Sequence, residues 1–259
     1  QNDKDKMDIL MREAAKYGDM LILPYVTESY HGITEKVMGF FEIAAKFSSS
    51  VRYVMKTDDD AFVRVDLLLE RLSKHDSSKL KGKRLYMGNP MWHQPVVRNV
   101  NSKRYYVSKK EYDKEFFSPY CSGGGHILSM DLVRHAAKRM KNPGPWPFKF
   151  EDVNTGMLLQ DLIESKDLKI TAENRFLGWG THGGKEILRS DFIMYHYVRK
   201  PWDMYVMFER EAREYLILLH SLTQSTYIIH NSHPYPSFAI MPLECDELLN
   251  SRFALEHRY

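Results

Sequence analysis

The sequence predicts an α/β domain, on three observations. Val51-Arg52-Tyr53-Val54-Met55-Lys56 is rich in β-branched and aromatic residues and reads as a buried strand. Three aspartates, Asp58-Asp59-Asp60, end it, and Val65 to Leu72 follows with helical spacing. A strand that delivers polar groups at its C-terminal end and then passes into a helix is how open α/β sheets hold ligands. Upstream, Ile33, Val37, Phe40, Phe41, Ala44 and Ala45 mark Ile33 to Phe47 as a further helix.

The remaining elements follow in order. Gln1 to Asp8 is polar and runs into a helical pattern at Ile9, Leu10 and Ala14. Arg84 to Met87 reads as a short strand, and the Tyr-rich stretches at Lys103 to Ser108 and around Tyr112 read as extended or hairpin segments. Ser118 to Gly125 reads as a turn. Ser129 to Met140 reads as a helix with Ser129 at its N-cap. Asn142 to Pro147 carries three prolines and a glycine and must be loop. Glu151 to Glu164 reads as a helix with an acidic first turn, Phe192 to Val198 as a strand, and Trp202 to Leu219 as a final long helix. The tail from Gln224, bearing Pro and His, has no pattern that places it. With neither internal repeat nor low-complexity linker, 259 residues are read most simply as one domain.

Composition narrows the function classes. With 43% hydrophobic and 27% charged residues the chain is of ordinary globular type. A formal net charge of +3 is small for this length and gives no reason to expect a nucleic-acid binder. The basic group Lys79-Leu80-Lys81-Gly82-Lys83-Arg84 reads as solvated loop. No stretch approaches the roughly 18 to 20 apolar residues of a membrane span, and the polar start is not that of a signal peptide. Cys121 and Cys245 could form one disulfide or remain two thiols, and spacing does not decide between them. No Asn-x-Ser/Thr sequon is present.

Four segments carry chemistry. Adjacent carboxylates at Asp58, Asp59 and Asp60 repel one another, so a fold keeps them where a cation or hydrogen-bond donors offset the repulsion. Mn²⁺ or Mg²⁺ would do so, sharing oxygen ligands with a substrate's phosphates. An exposed acidic turn is the plainer account, but here the triplet follows a buried strand and precedes apolar Ala61-Phe62-Val63. A calcium loop of the EF-hand type is excluded, since Val63 stands where it needs Gly and Leu69 where it needs Glu. Glu151-Asp152-Val153, with Gly156 beyond, opens a helix, where the macrodipole favours acids in any case. Tyr120-Cys121-Ser122-Gly123-Gly124-Gly125-His126 could let backbone approach a ligand or be a flexible turn. His196, at the end of a strand, could be a core residue or a ligand.

Taken together and in order, these segments resemble the inverting β-1,3-glycosyltransferases of family 31. Lys56-Thr57-Asp58-Asp59-Asp60-Ala61-Phe62-Val63 is similar to that family's metal-binding signature. Tyr30-His31-Gly32-Ile33-Thr34-Glu35-Lys36 resembles its Tyr-x-x-Leu-Thr-x-Lys segment, with Ile for Leu. Lys103 to Ser108, Ser118 to Gly123, Glu151-Asp152-Val153 with Gly156, and His196 with Arg199-Lys200-Pro201 fall in the family's order, and the similarity runs from about Met7 to Leu219.

The resemblance implies a GT-A fold, a single Rossmann-like nucleotide-sugar-binding domain, with a UDP-sugar as donor and Mn²⁺ as cofactor. It implies that Asp60 and His196 bind the metal. Asp58 and Asp59 would meet the nucleoside and donor sugar, with Lys36, Gly123 and Gly124 also lining the donor site. Asp152 would be the general base, with Glu151 beside it as a further binding residue near the acceptor. The acceptor would be a glycan on a glycoprotein or glycolipid. The full-length protein would be anchored in the Golgi membrane, with its catalytic domain in the lumen.

The resemblance has departures. The family's opening strand, stem and membrane anchor are not visible before Gln1, so the expectation is an N-terminally truncated catalytic domain over residues 1–222, with 223–259 a C-terminal extension. Gly123-Gly124-Gly125-His126 stands in place of a more usual Gly-x-Gly-Tyr, and Trp179 to Lys185 has no counterpart. Two rival functions are a non-catalytic sugar- or protein-binding module on the same fold and a metal-dependent phosphohydrolase. The latter would want a second carboxylate cluster for a two-metal site.

Overall fold

A computed structural model of the chain describes residues 3–23, 25–26, 29–30, 32–46, 51–78, 84–177 and 191–211. The first helix, α1 (Asp3–Tyr17), belongs to one compact unit, and the strands and later helices belong to another. The α1 helix is the one expected at Ile9, Leu10 and Ala14, and those three residues are exposed or half-buried on it.

The larger unit is mixed α/β. Its helices are α2 (Gly32–Ala44), α3 (Val65–Ser77), α4 (Met130–Met140), α5 (Glu151–Leu158) and α6 (Gln160–Glu164), with another over 201–211. Its strands are β1 (Tyr53–Thr57), β2 (Ala61–Val63), β3 (Tyr86–Met91), β4 (Tyr120–Ser129), β5 (Ile170–Ala172), β6 (Phe176–Leu177) and β7 (Met194–His196). A four-stranded sheet runs in the order β1-β4-β3-β5. In it β4 is antiparallel to both neighbours, and β5 lies parallel to β3. A second sheet, β2-β7-β6, pairs β2 antiparallel and β6 parallel to β7.

The pleat divides the core of the larger sheet. Successive residues of a strand point to opposite faces, so Tyr86 and Leu128 join Phe41, Ala44, Leu132 and Val133 under α2 and α4. Their neighbours Met87 and Ile127 join Leu68, Phe176, Ile193 and Met194 on the α3 side. Helix α4 shows why its sequence docks: Leu132, Val133, Ala136 and Ala137 recur at helical spacing and are buried. Each large apolar side chain so buried contributes about 1.5–3 kcal/mol. A third cluster, Tyr112, Phe117, Tyr120, Phe148, Val153 and Met157, fixes the start of α5 against β4.

Four sequence expectations change. Ser118 to Gly125 is not a turn, because from Tyr120 it forms β4, at 10 residues the longest strand among the described residues. Glycine weakens a strand by itself, but β4 is paired on both edges, with Thr57 opposite Gly125 and Gly88 opposite His126. Lys103 to Ser108 is not extended throughout, since Val100–Tyr105 is a short 3-10 segment broken at Lys103, where φ is 40°. Glu151 to Glu164 is two helices, interrupted at Leu159, where φ is −107° and ψ is 3°. Ser129 does stand at the N-cap position of α4, yet makes no capping bond. Its hydroxyl donates to Asp131 Oδ1 at 2.6 Å and accepts the Leu85 amide at 2.9 Å.

The helix expected over Trp202 to Leu219 is present over 201–211, and its remainder lies outside the described residues, as do Trp179 to Lys185, Lys79 to Lys83 and the tail from Gln224. Cys121 is a buried free thiol on β4, and Cys245 lies outside the described residues.

Candidate active site

The site grows from the end of β1. Beyond Thr57 the chain turns through Asp58-Asp59-Asp60 and returns as β2. The turn, closed by the Ala61 amide donating to the Asp58 carbonyl at 3.2 Å, leaves Asp58 and Asp60 half-buried and Asp59 exposed. Pairing of β2 with β7 sets Ala61 opposite His196, and the Val198 amide donates to the Asp60 carbonyl at 2.8 Å. His196 Nε2 thereby lies 3.2 Å from Asp58 Oδ2 and 2.9 Å from Asp60 Oδ1. One ligand atom from each of these three residues falls within 4.8 Å of the others.

Two carboxylates and an imidazole converging in this way form a donor set that fits a divalent cation. His196 is oriented by packing. Its ring stacks on Tyr197, centroids 4.0 Å apart and planes 19° apart, and Tyr197 holds a positive φ of 71°. On another side lies Gly124, where a Cβ would come within 2.5 Å of His196 Nδ1. Nδ1 itself is buried and has no hydrogen-bond partner. A ligating histidine is usually held by a hydrogen bond at its other nitrogen, and here stacking and close contact take that part.

The second half of the site stands on the first turn of α5. Glu151 and Asp152 are brought to β4 by close packing at Gly156, where a Cβ would meet the Pro119 carbonyl at 2.6 Å. Gly123 faces both acids, with a Cβ position 3.0 Å from Glu151 Oε1 and 3.5 Å from Asp152 Oδ2. Asp152 Oδ1 accepts the Val153 amide at 2.8 Å. Burial pushes the pKa of Glu151 up, opposed by Lys56 and reinforced by the like charge of Asp152. Burial likewise raises Asp152, to about 6, against the lowering effect of the Val153 amide and Lys56.

Lys56 joins the two halves. Its Nζ donates to Asp58 Oδ1 at 2.6 Å, to the Gly123 carbonyl and to Glu151 Oε1. Burial opposes its charge, but Glu151 and Asp58 more than offset that and raise its pKa. For Asp58, burial is outweighed by His196 and Lys56, which hold its carboxyl below the usual range. Fully buried His126 is pushed by burial and by Lys56 down to about 3, so it is neutral beside that cation.

The structure therefore brings together Asp58, Asp60, His196 and Gly124 on one side and Glu151, Asp152 and Gly123 on the other. Asp59 is exposed on the turn, and Lys36 is half-buried on α2. Two contributors escaped the sequence reading. Lys56 stood in a quoted motif without a role, since its pairing with Glu151 joins residues that no local pattern links. Tyr197 gave no signal, since its stacking on His196 depends on a positive φ.

Comparison with known proteins gives this geometry a context. The family model described as Galactosyltransferase matches residues 1–169. A hydroxyproline O-galactosyltransferase of Arabidopsis thaliana is 33% identical over 152 residues, 58% of this chain and 21% of the relative. A β-1,3-galactosyltransferase of the same plant is 34% identical over 155 residues, 60% of this chain and 23% of the relative. The UDP-GalNAc:β-1,3-N-acetylgalactosaminyltransferase 1 of Homo sapiens is 33% identical over 158 residues, 60% of this chain and 45% of the relative. The matched stretch thus spans less than half the length of each of these relatives. With the family model covering well over half of its residues, the chain belongs to the galactosyltransferase family, glycosyltransferase family 31.

Proposed function

We propose that the chain carries the catalytic domain of a metal-dependent inverting glycosyltransferase. It moves a hexose or N-acetylhexosamine, galactose favoured, from a UDP-sugar to a glycan acceptor in β-1,3 linkage. The domain is read as a GT-A fold over residues 1–222, with 223–259 an extension. The observation that carries this reading is the convergence of two unlike acidic groups beyond the end of β1. Asp58, Asp60 and His196 converge within 4.8 Å, and the raised acids of α5 are tied to them through Lys56. Family membership and the printed activities of the relatives support it.

Asp60 and His196 would hold the cation, Mn²⁺ in preference to Mg²⁺, and their convergence with Asp58 makes that residue, which the resemblance sets at the donor, a third ligand. The cation when bound would neutralise charge on the departing diphosphate. Asp59, Lys36, Gly123 and Gly124 would meet the nucleoside and donor sugar, with Glu151 beside the acceptor. Inversion needs one displacement at the anomeric carbon by an acceptor hydroxyl, and Asp152 takes that proton at a carboxylate oxygen. A pKa near 6 suits a base that must be ionised near neutrality yet accept a proton. The acceptor is a glycan of a glycoprotein or glycolipid, and the family resemblance favours the lumenal side of the Golgi membrane. Among the described residues no helix is long and apolar enough to cross a membrane.

A radiolabelled UDP-sugar screen with Mn²⁺ and linkage analysis of the product tests the reading. Transfer in β-1,3 linkage from a UDP-hexose or UDP-N-acetylhexosamine is expected. Neither transfer nor donor hydrolysis with any common UDP-sugar by the full-length protein would reject it.

A further inference from the structure

Four carboxylates, Asp58, Asp60, Glu151 and Asp152, gather around one end of β1, and among the described residues a single buried ammonium, Lys56, is paired with any of them. All three of its N–H groups have an acceptor: Asp58, the Gly123 carbonyl and Glu151. The paired side chains are scarcely exposed, 11% for Lys56 and 10% for Glu151. The two adjacent acids of α5 are therefore partnered differently. Glu151 Oε1 meets the lysine while its Oε2 is buried without a partner. Asp152 is held by backbone dipoles, chiefly the Val153 amide at 2.8 Å.

Two buried carboxyls side by side share a proton unless something separates their charges. The groups that act on Asp152 are Glu151 on α5, Lys56 and Asp58 at the end of β1, Tyr86 on β3, and Tyr120 and Cys121 on β4. Burial keeps both tyrosines and the thiol protonated. Lys56 is thus the one cation in this set.

We propose that Lys56 is a positioning residue for proton transfer: by pairing with Glu151 it stops the two acids of α5 sharing a proton and leaves Asp152 free to accept one. This rests on the reading of Asp152 as the base. Lys56 is held against Glu151 and acts on Asp152 by its charge, directly and through that pairing.

The test compares Lys56→Met, Glu151→Gln, the double variant and Lys56→Arg. In Lys56→Met the acid limb of the kcat–pH profile should move up by about one unit or more, so that turnover near pH 5 falls about tenfold and turnover near pH 7 by about twofold or more. Adding Glu151→Gln should return the limb toward that of the wild type, because no second charge remains to be separated. Lys56→Arg should keep the limb in place. Should Lys56→Met not fold, the comparison of Glu151→Gln with the double variant decides, and there removing Lys56 should raise the limb by well under one unit, the part that its charge exerts directly on Asp152.

Urea unfolding against pH, without metal or donor, reads the same charges independently of activity. A carboxyl that keeps its proton in the folded protein above about pH 4, where the unfolded chain releases it, makes stability fall as pH rises through that window. Lys56→Met should therefore lose stability more steeply than wild type between about pH 5 and 8, and the double variant should not. An unmoved limb with an unchanged stability slope in Lys56→Met, or a double variant as shifted as the single, overturns the proposal. If the unfolding series behaves as described while no variant, wild type included, transfers sugar, the charge division stands and the base assignment fails.

Discussion

The two acidic groups of the site sit on different elements, and they differ as those elements do. Asp58 and Asp60 lie on a turn between strands, half-exposed, with their oxygens aimed at one imidazole. Glu151 and Asp152 lie in the first turn of a helix packed on β4, where burial raises both carboxyls. The first group can stay ionised beside Lys56 and take up a cation. The second has the proton affinity a base needs. A turn between strands builds a ligand cluster and helix burial builds a base, so neighbouring acids of similar intrinsic strength come to do different chemistry.

The comparison breaks most plainly in the strand group. Asp60→Asn should weaken Mn²⁺ binding by more than about 100-fold, beyond what losing a supporting hydrogen-bond partner costs, as measured by paramagnetic resonance of free Mn²⁺. Asp152→Asn should leave that binding within a few-fold of wild type. Equal losses in the two variants would mean that the groups are not divided.

The helix group should govern pH dependence. With Asp152 at about 6 and required in its ionised form, turnover should fall as pH drops below about 6, approaching tenfold per unit. The limb should persist in Gly124→Ala and vanish in Asp152→Asn, and a profile flat between about pH 4 and 7 would contradict it.

The finest contrast lies between two adjacent glycines of β4. A methyl at Gly124 would meet the His196 ring at 2.5 Å, and one at Gly123 would meet Glu151 at 3.0 Å. Gly124→Ala should therefore weaken Mn²⁺ binding about 10–100-fold and cost about 1–3 kcal/mol of stability. Gly123→Ala should leave Mn²⁺ binding nearly unchanged and lower turnover. Calorimetric Mn²⁺ titrations and urea unfolding of both variants would check this, and the reverse assignment of effects would sink it.

Much of this was legible in the residues, and what was not has physical causes. Helices α2, α3 and α4 and strand β1 follow from local periodicity, and the family resemblance rests on ordered motifs along the chain. The convergence of Asp58 with Asp60 could not be read from alternation, since the chain turns there, with the Ala61 amide on the Asp58 carbonyl at 3.2 Å. His196 could be placed among the ligands only by resemblance, because its approach depends on β2 pairing with β7 across more than 130 residues of sequence. The Gly123-Gly124-Gly125 run misled, since glycine's local preference speaks for a turn while two-sided pairing makes it strand. Pairing also explains why glycine is there: a side chain at Gly124 would displace His196. The ion pair of Lys56 with Glu151 joins residues whose separation no local pattern spans.

The division of labour between the two acidic groups is tested most directly by calorimetric titration of Asp152→Asn with UDP in the presence of Mn²⁺, set beside its transfer rate. UDP should bind as in the wild type while transfer falls by about 10²- to 10⁴-fold. Loss of UDP binding together with transfer would show that Asp152 belongs to the donor site and is not the base.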